Sequence, residues 1–96
     1  TSPEELIAAA HATCYSMALS NTLAKAGHPP ASLDVEATAT FVPGTGITQI
    51  VLRLDADVPN IGEDEFQQAA QTAKDNCPVS KALAGNVEIS LEANLR

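Results

Sequence analysis

Few side chains in this sequence could do chemistry: two cysteines, Cys14 and Cys77, two histidines, His11 and His28, and two adjacent acids near the start, Glu4 and Glu5. A pair of thiols can carry redox chemistry, hold a metal, or do nothing, because free cysteine is among the most buried residue types. A metal site built from His11, Cys14, His28 and Cys77 would need ligand spacings such as C-x₂-C or H-x₃-H, and no pair shows them. Hydrolysis by a Cys–His pair would need an oxyanion loop and an orienting Asn, and neither motif is visible. Redox chemistry and two inert, buried thiols remain.

Local electrostatics favours Cys77 as the reactive thiol. It caps a short helix whose first position is Pro78, where unsatisfied N–H groups and the positive dipole end stabilise a thiolate, with Lys81 one turn on. Cys14 lies mid-helix among apolar residues, where desolvation raises a thiol pKa. His11, three residues earlier, shares roughly the same helix face and is a candidate partner for Cys14. A histidine on the helix surface or at an interface is the plainer reading.

The element carrying Cys14 is a long first helix. Ser2 is a good N-cap, Pro3 suits the first helical position, and Glu5 stands where a capping box puts its acid. Gly27 closes the helix and Pro29-Pro30 prevent its return. Glu5 is explained by the cap; Glu4 has only the weaker role of a first-turn acid, so of the two Glu4 is the candidate for function. Leu6, Ile7, Ala8, Ala9, Ala10, Ala12, Cys14, Tyr15, Met17, Ala18 and Leu19 cover every face, the pattern of a helix buried all round.

Alternation of period two predicts a strand over 32–42, with Leu33, Val35, Ala37, Ala39 and Phe41 on one face, and another over 47–58, with Ile50, Leu52, Leu54, Ala56 and Val58 inward. Turn residues 43–46 join them as a hairpin. Residues 63–76 form a second helix with acids in its first turn, 78–83 a short third one stopped by Gly85, and 87–95 a last strand. The expected fold is α+β, with an antiparallel sheet packed on a long buried central helix. Three strands offer that helix only one apolar face, so further cover is expected, either from strands before Thr1 or from a second subunit in a homodimer.

Ninety-six residues, 45% apolar, suit one domain. Two Phe, one Tyr and no Trp make its core aliphatic. A net charge of −7 argues against nucleic acid and anionic membranes as partners. No apolar run approaches the roughly 20 residues that span a bilayer. Two cysteines without a visible secretory signal point to a reducing, cytoplasmic setting.

The run SPEELIAAAHATCYSMAL over 2–19, followed by NCPVSKAL over 76–83, closely resembles the OsmC/Ohr family of osmotically inducible and organic-hydroperoxide-resistance proteins, and the wording around Cys14 resembles the OsmC branch. The resemblance implies a thiol peroxidase without metal or organic cofactor. It would reduce organic hydroperoxides, and hydrogen peroxide more weakly, with an external thiol or dithiol as reductant and an intertwined homodimer as the assembly.

Carried over residue by residue, Cys14 matches the peroxidatic cysteine, Cys77 the resolving one, and Glu4 the glutamate that holds a catalytic arginine. The family's arginine lies on strands ahead of the glutamate motif. Here only Arg53 and Arg96 exist, and neither position matches. Residues 1–96 are therefore expected to be the C-terminal two-thirds of an OsmC-like domain. The other expectation, from a different class, is a small-ligand-binding or dimerisation module on the same fold with inert thiols.

Overall fold

The computed structural model describes all 96 residues, ordered as α1 (Pro3–Lys25), β1 (Ser32–Val42), β2 (Gly46–Asp57), α2 (Glu63–Asn76), α3 (Pro78–Leu83) and β3 (Glu88–Leu95). Ser2 caps α1 as expected, its hydroxyl oxygen accepting the Glu5 N–H at 3.2 Å. The returning carboxylate differs from expectation. The Glu5 carboxylate faces the Thr1 amine at 3.9 Å, and it is the Glu4 carboxyl whose pKa is lowered by its own N–H and the Ser2 hydroxyl. At the other end Gly27 takes a φ of 87°, which only glycine adopts without strain. The Gly27 and His28 N–H groups then bond the Ala24 and Leu23 carbonyls, the paired arrangement that satisfies a helix terminus.

β1 and β2 form the antiparallel hairpin, with Val35 opposite Leu54 and Ala37 opposite Leu52. On the central strand Ile50, Leu52, Leu54 and Ala56 are completely buried, whereas Leu33, Val35, Ala37 and Ala39 on β1 are only half-buried. A truncation such as Leu52→Ala would therefore cost about 2–5 kcal/mol. The register slips between Thr40 and Phe41, so Thr40 pairs with Gln49 but Phe41 with Ile47. Beyond that bulge the alternation no longer aims inward, and Phe41, expected on the core face, is 53% exposed.

The sheet is mixed, not wholly antiparallel. Its order is β1-β2-β3, and β3 lies parallel to β2, with Leu52 beside Leu91 and Leu54 beside Ala93. A parallel neighbour requires the chain to return to the end where β2 began, and α2 with α3 supplies that crossover. Both α1 and α2 pack on the apolar face of the sheet, around Tyr15, Leu19, Leu23, Phe66, Ala70 and Ala73. On the opposite face Arg53 meets Glu92 at 3.8 Å and Arg96 meets Asp34 at 2.6 Å, exposed pairs of the kind that contribute little to stability.

The long helix buries one stripe within this chain: Ala8, His11, Tyr15, Leu19 and Leu23, at successive spacings of three and four. Its other apolar residues are not covered, with Leu6 60% and Met17 69% exposed. The reading of α1 as buried all round thus holds for one face only, because three strands and two helices have no further surface to lay against it. No helix is long and apolar enough to cross a membrane.

Candidate active site

Cys77 stands at the junction of α2 and α3 with extended backbone (φ −62°, ψ 123°), which ends one helix and caps the next. Pro78 at the first position of α3 enforces this break, having no N–H to continue the α2 ladder. The Cys77 side chain is completely buried, while Cys14, on the neighbouring face of α1, is only partly so. The fold brings these two residues, 63 positions apart in sequence, side by side. Both are free thiols, close enough for each to shift the other's pKa.

The two sulfurs differ in acidity. Burial raises the Cys77 pKa, but the Ser80 N–H, the Cys14 thiol, the Ser80 hydroxyl and the Val79 N–H outweigh it, and the net shift is below the ordinary thiol value. Burial raises Cys14 as well; the Val79 N–H opposes this, but the bond and charge of Cys77 add to it, and the net shift is upward. The expectation that Cys77 is the better thiolate agrees with this direction through the N–H groups of the first turn of α3, while the Lys81 side chain takes no part. The Lys81 side chain is exposed, and its part at this turn is a backbone bond, its N–H donating to the Cys77 carbonyl at 3.0 Å.

His11 is neither on the helix surface nor paired with Cys14. It is completely buried, and its Nε2 lies 2.7 Å from the Ser80 hydroxyl oxygen on α3. Burial lowers its pKa, so the ring is neutral near pH 7. Tyr15, one helical turn on, donates its hydroxyl to the Ala70 carbonyl at 3.0 Å. Its own pKa is pushed up, first by burial and then by the charge of Cys77.

Ser80, Val79 and Tyr15 were not singled out by the motifs. The available signal was position: Val79 and Ser80 occupy the first turn after the Cys77 cap, where N–H groups lack helical acceptors.

Glu4 does not join this cluster. Ten residues of continuous helix place it about 15 Å along α1 from Cys14. It lines a separate groove between α1 and β1 with Ala8, Ala12, Glu36 and Ala37. Its carboxyl is held below the usual range by its own N–H and by the Ser2 hydroxyl. The arginines are also elsewhere: Arg53 bonds the Thr38 hydroxyl and Arg96 the Asp34 carboxylate, both on the polar face of the sheet. His28 pairs with Glu65 at 3.4 Å, and no group of three or more His, Cys, Asp or Glu residues is placed to hold a metal ion.

Comparison with known proteins adds to this geometry. The family model described as OsmC-like protein matches residues 1–92. The chain is 44% identical over 99 residues to the peroxiredoxin OsmC of Escherichia coli, with 100% of this chain and 68% of the relative covered. It is 32% identical over 100 residues to an organic hydroperoxide resistance protein-like sequence of Staphylococcus aureus, covering 99% and 70%. Among solved structures, the organic hydroperoxide resistance protein OhrB of Bacillus subtilis superposes with a TM-score of 0.79 at 27% identity, covering 98% of this chain and 70% of that one.

Proposed function

The chain belongs to the OsmC-like family, and on that premise we propose that it is a two-cysteine peroxidase that reduces organic hydroperoxides. The observation that carries the proposal is the juxtaposition of the two free thiols, Cys14 packed against the core that holds Cys77 and each shifting the other's pKa. Names among its relatives support the substrate class: a peroxiredoxin and an organic hydroperoxide resistance protein-like sequence.

Exposure assigns the order of events. Cys14 is partly open to solvent and Cys77 is not, so the peroxide meets Cys14 first. The Cys14 thiolate attacks the terminal peroxide oxygen, the O–O bond breaks, and the alkoxide leaves and takes a proton to become the alcohol. Cys77 thiolate then attacks the Cys14 sulfur of the resulting sulfenic acid. Hydroxide leaves as water after protonation, and the Cys14–Cys77 disulfide remains. An external thiol or dithiol returns two electrons. The low pKa of Cys77 suits it as the attacking thiol in the second step and as a good leaving group during reduction.

The first step needs a cation to offset the desolvation of Cys14. Arg53 and Arg96 are engaged on the far side of the sheet, so the proposal assigns that charge to a group outside residues 1–96. It also assigns the uncovered apolar side of α1, including Leu6 and Met17, to a homodimer contact.

A free-thiol count before and after one equivalent of cumene hydroperoxide tests the reading. The peroxidase loses both thiols to one intramolecular disulfide. Retention of both thiols would leave the chain a binding or dimerisation module.

A further inference from the structure

His11 is a buried titratable group that the two-cysteine cycle leaves unused, and its environment is unusual. Nε2 lies 2.7 Å from the Ser80 hydroxyl oxygen, while Nδ1 is buried without any hydrogen-bond partner. Ser80 stands one helical turn after Cys77 at the start of α3, and its hydroxyl helps to lower the Cys77 pKa. Three buried side chains from α1, α3 and the α2–α3 junction thus lie in order, the imidazole bonded to the hydroxyl and the hydroxyl one helical turn from the thiol.

A serine hydroxyl has a single proton to give. At this position it can go to His11 Nε2 or to Cys77 Sγ, and the choice depends on which ring nitrogen is protonated. A proton on Nδ1 would be a buried donor with nothing to bond, whereas a bare Nδ1 leaves only an unused lone pair. Unpaired buried N–H groups are the rarer and more costly of the two. The ring is neutral, so its one proton belongs on Nε2. Nε2–H then donates to the Ser80 oxygen, and the Ser80 proton is left for the sulfur.

We infer that His11 is a positioning residue for the second thiol: through Nε2–H it holds Ser80 so that the hydroxyl proton points at Cys77 and stabilises its thiolate. His11 neither takes nor gives up a proton in this role. The inference rests on the proposed cycle only for its consequence in turnover, where it keeps Cys77 ready to attack oxidised Cys14. The His11–Ser80 bond itself does not depend on peroxidase activity.

The test reads the Cys77 thiolate directly, by ultraviolet absorbance against pH, in a chain whose other thiol is removed by Cys14→Ser. Added to that background, Ser80→Ala should raise the Cys77 midpoint by about one pH unit or more, because it deletes a hydrogen bond to a charged acceptor. His11→Phe, which keeps a buried ring but no donor, should also raise it. His11→Gln, whose amide N–H can stand in for Nε2–H without titrating, should return the midpoint toward the parent.

Nitrogen NMR of the unsubstituted chain should find the proton of His11 on Nε2. A proton on Nδ1 would overturn the inference, and so would an unmoved midpoint in Ser80→Ala, or His11→Gln behaving as His11→Phe. Ser80→Ala removes one oxygen from a short helix and decides the matter even where His11→Phe does not fold. A failed peroxidase reading shows separately, as thiols that survive hydroperoxide while the Cys77 midpoint still responds to Ser80→Ala.

Discussion

The Tyr15 hydroxyl donates to the carbonyl of Ala70 across the buried seam between α1 and α2. The bond fastens the helix that carries Cys14 to the helix that ends at Cys77, at a residue adjacent to Cys14 in sequence. The two thiols are therefore held by rigid elements rather than by loops. Tyr15→Phe should cost about 1 kcal/mol, the usual net worth of one such hydrogen bond. Urea unfolding should show this as a lower midpoint with an unchanged slope; an unmoved midpoint would mean that the bond contributes nothing.

The two cysteines should fail in different ways. Cys14→Ser is expected to abolish hydroperoxide consumption and leave Cys77 free. Cys77→Ser should allow one oxidation and strand Cys14 as a sulfenic or over-oxidised acid, detectable by dimedone adduct and intact mass. The reverse pattern would make Cys77 the first nucleophile, as its lower pKa alone would suggest.

Oxidation should stiffen the protein. A Cys14–Cys77 disulfide closes a loop of 63 positions, and the chain-entropy account gives about 4 kcal/mol for such a loop. The oxidised form should therefore melt on the order of 10 °C or more above the reduced form. Equal melting temperatures would indicate that the bond strains the site by as much as it restricts the unfolded chain.

The buried His11 gives stability an acid limb. Its pKa is lowered in the folded state, so on acidification the unfolded chain takes up a proton before the native one does. Stability conferred by the neutral ring is fully present above the ordinary histidine value of about 6.5 and declines as pH falls from there toward the folded pKa. Between about pH 7 and 5, His11→Gln should flatten the dependence of the unfolding free energy on pH. An unchanged slope in that variant would assign the limb to other groups.

Glu4 requires a second copy of the chain if it is to act at a thiol. The ~15 Å of helix between Glu4 and Cys14 is too far for one side chain. Antiparallel packing of α1 on its twin would bring Glu4 of one copy toward Cys14 of the other and would cover Leu6 and Met17. Turnover per chain should then fall on dilution through the dimer constant, in step with the sedimentation coefficient. Turnover that is independent of concentration would leave Glu4 as a first-turn acid and nothing more.

Much of this architecture was legible because it is local. Ser2-Pro3 and Gly27 set the ends of α1, alternation set the hairpin, and Cys77-Pro78 set the break between α2 and α3 within a residue or so. The direction of β3 was not legible, since Val87, Ile89, Leu91, Ala93 and Leu95 alternate identically whichever way the strand runs. Phe41 was misplaced because one slip of register reverses inside and outside. At the site, the motifs marked both thiols, but the His11–Ser80 bond spans 69 positions. No pattern within one helix or strand can announce it; the nearer Cys14 was the natural but wrong partner for His11.

The parallel course of β3 beside β2 has a consequence for the newborn chain. A hairpin can zip as soon as its turn is made, but a parallel neighbour must wait for the whole crossover, and contacts so distant in sequence form late. Cys77 lies inside that crossover. While the protein is being synthesised, α1 and the hairpin can emerge and collapse with Cys14 already present and Cys77 not yet added. On the proposed cycle, an oxidant arriving then would find Cys14 without the thiol that rescues it from sulfinic acid. If that cycle operates, the order of the two cysteines along the chain opens a period of vulnerability in each molecule's life, which ends only when α3 docks against α1.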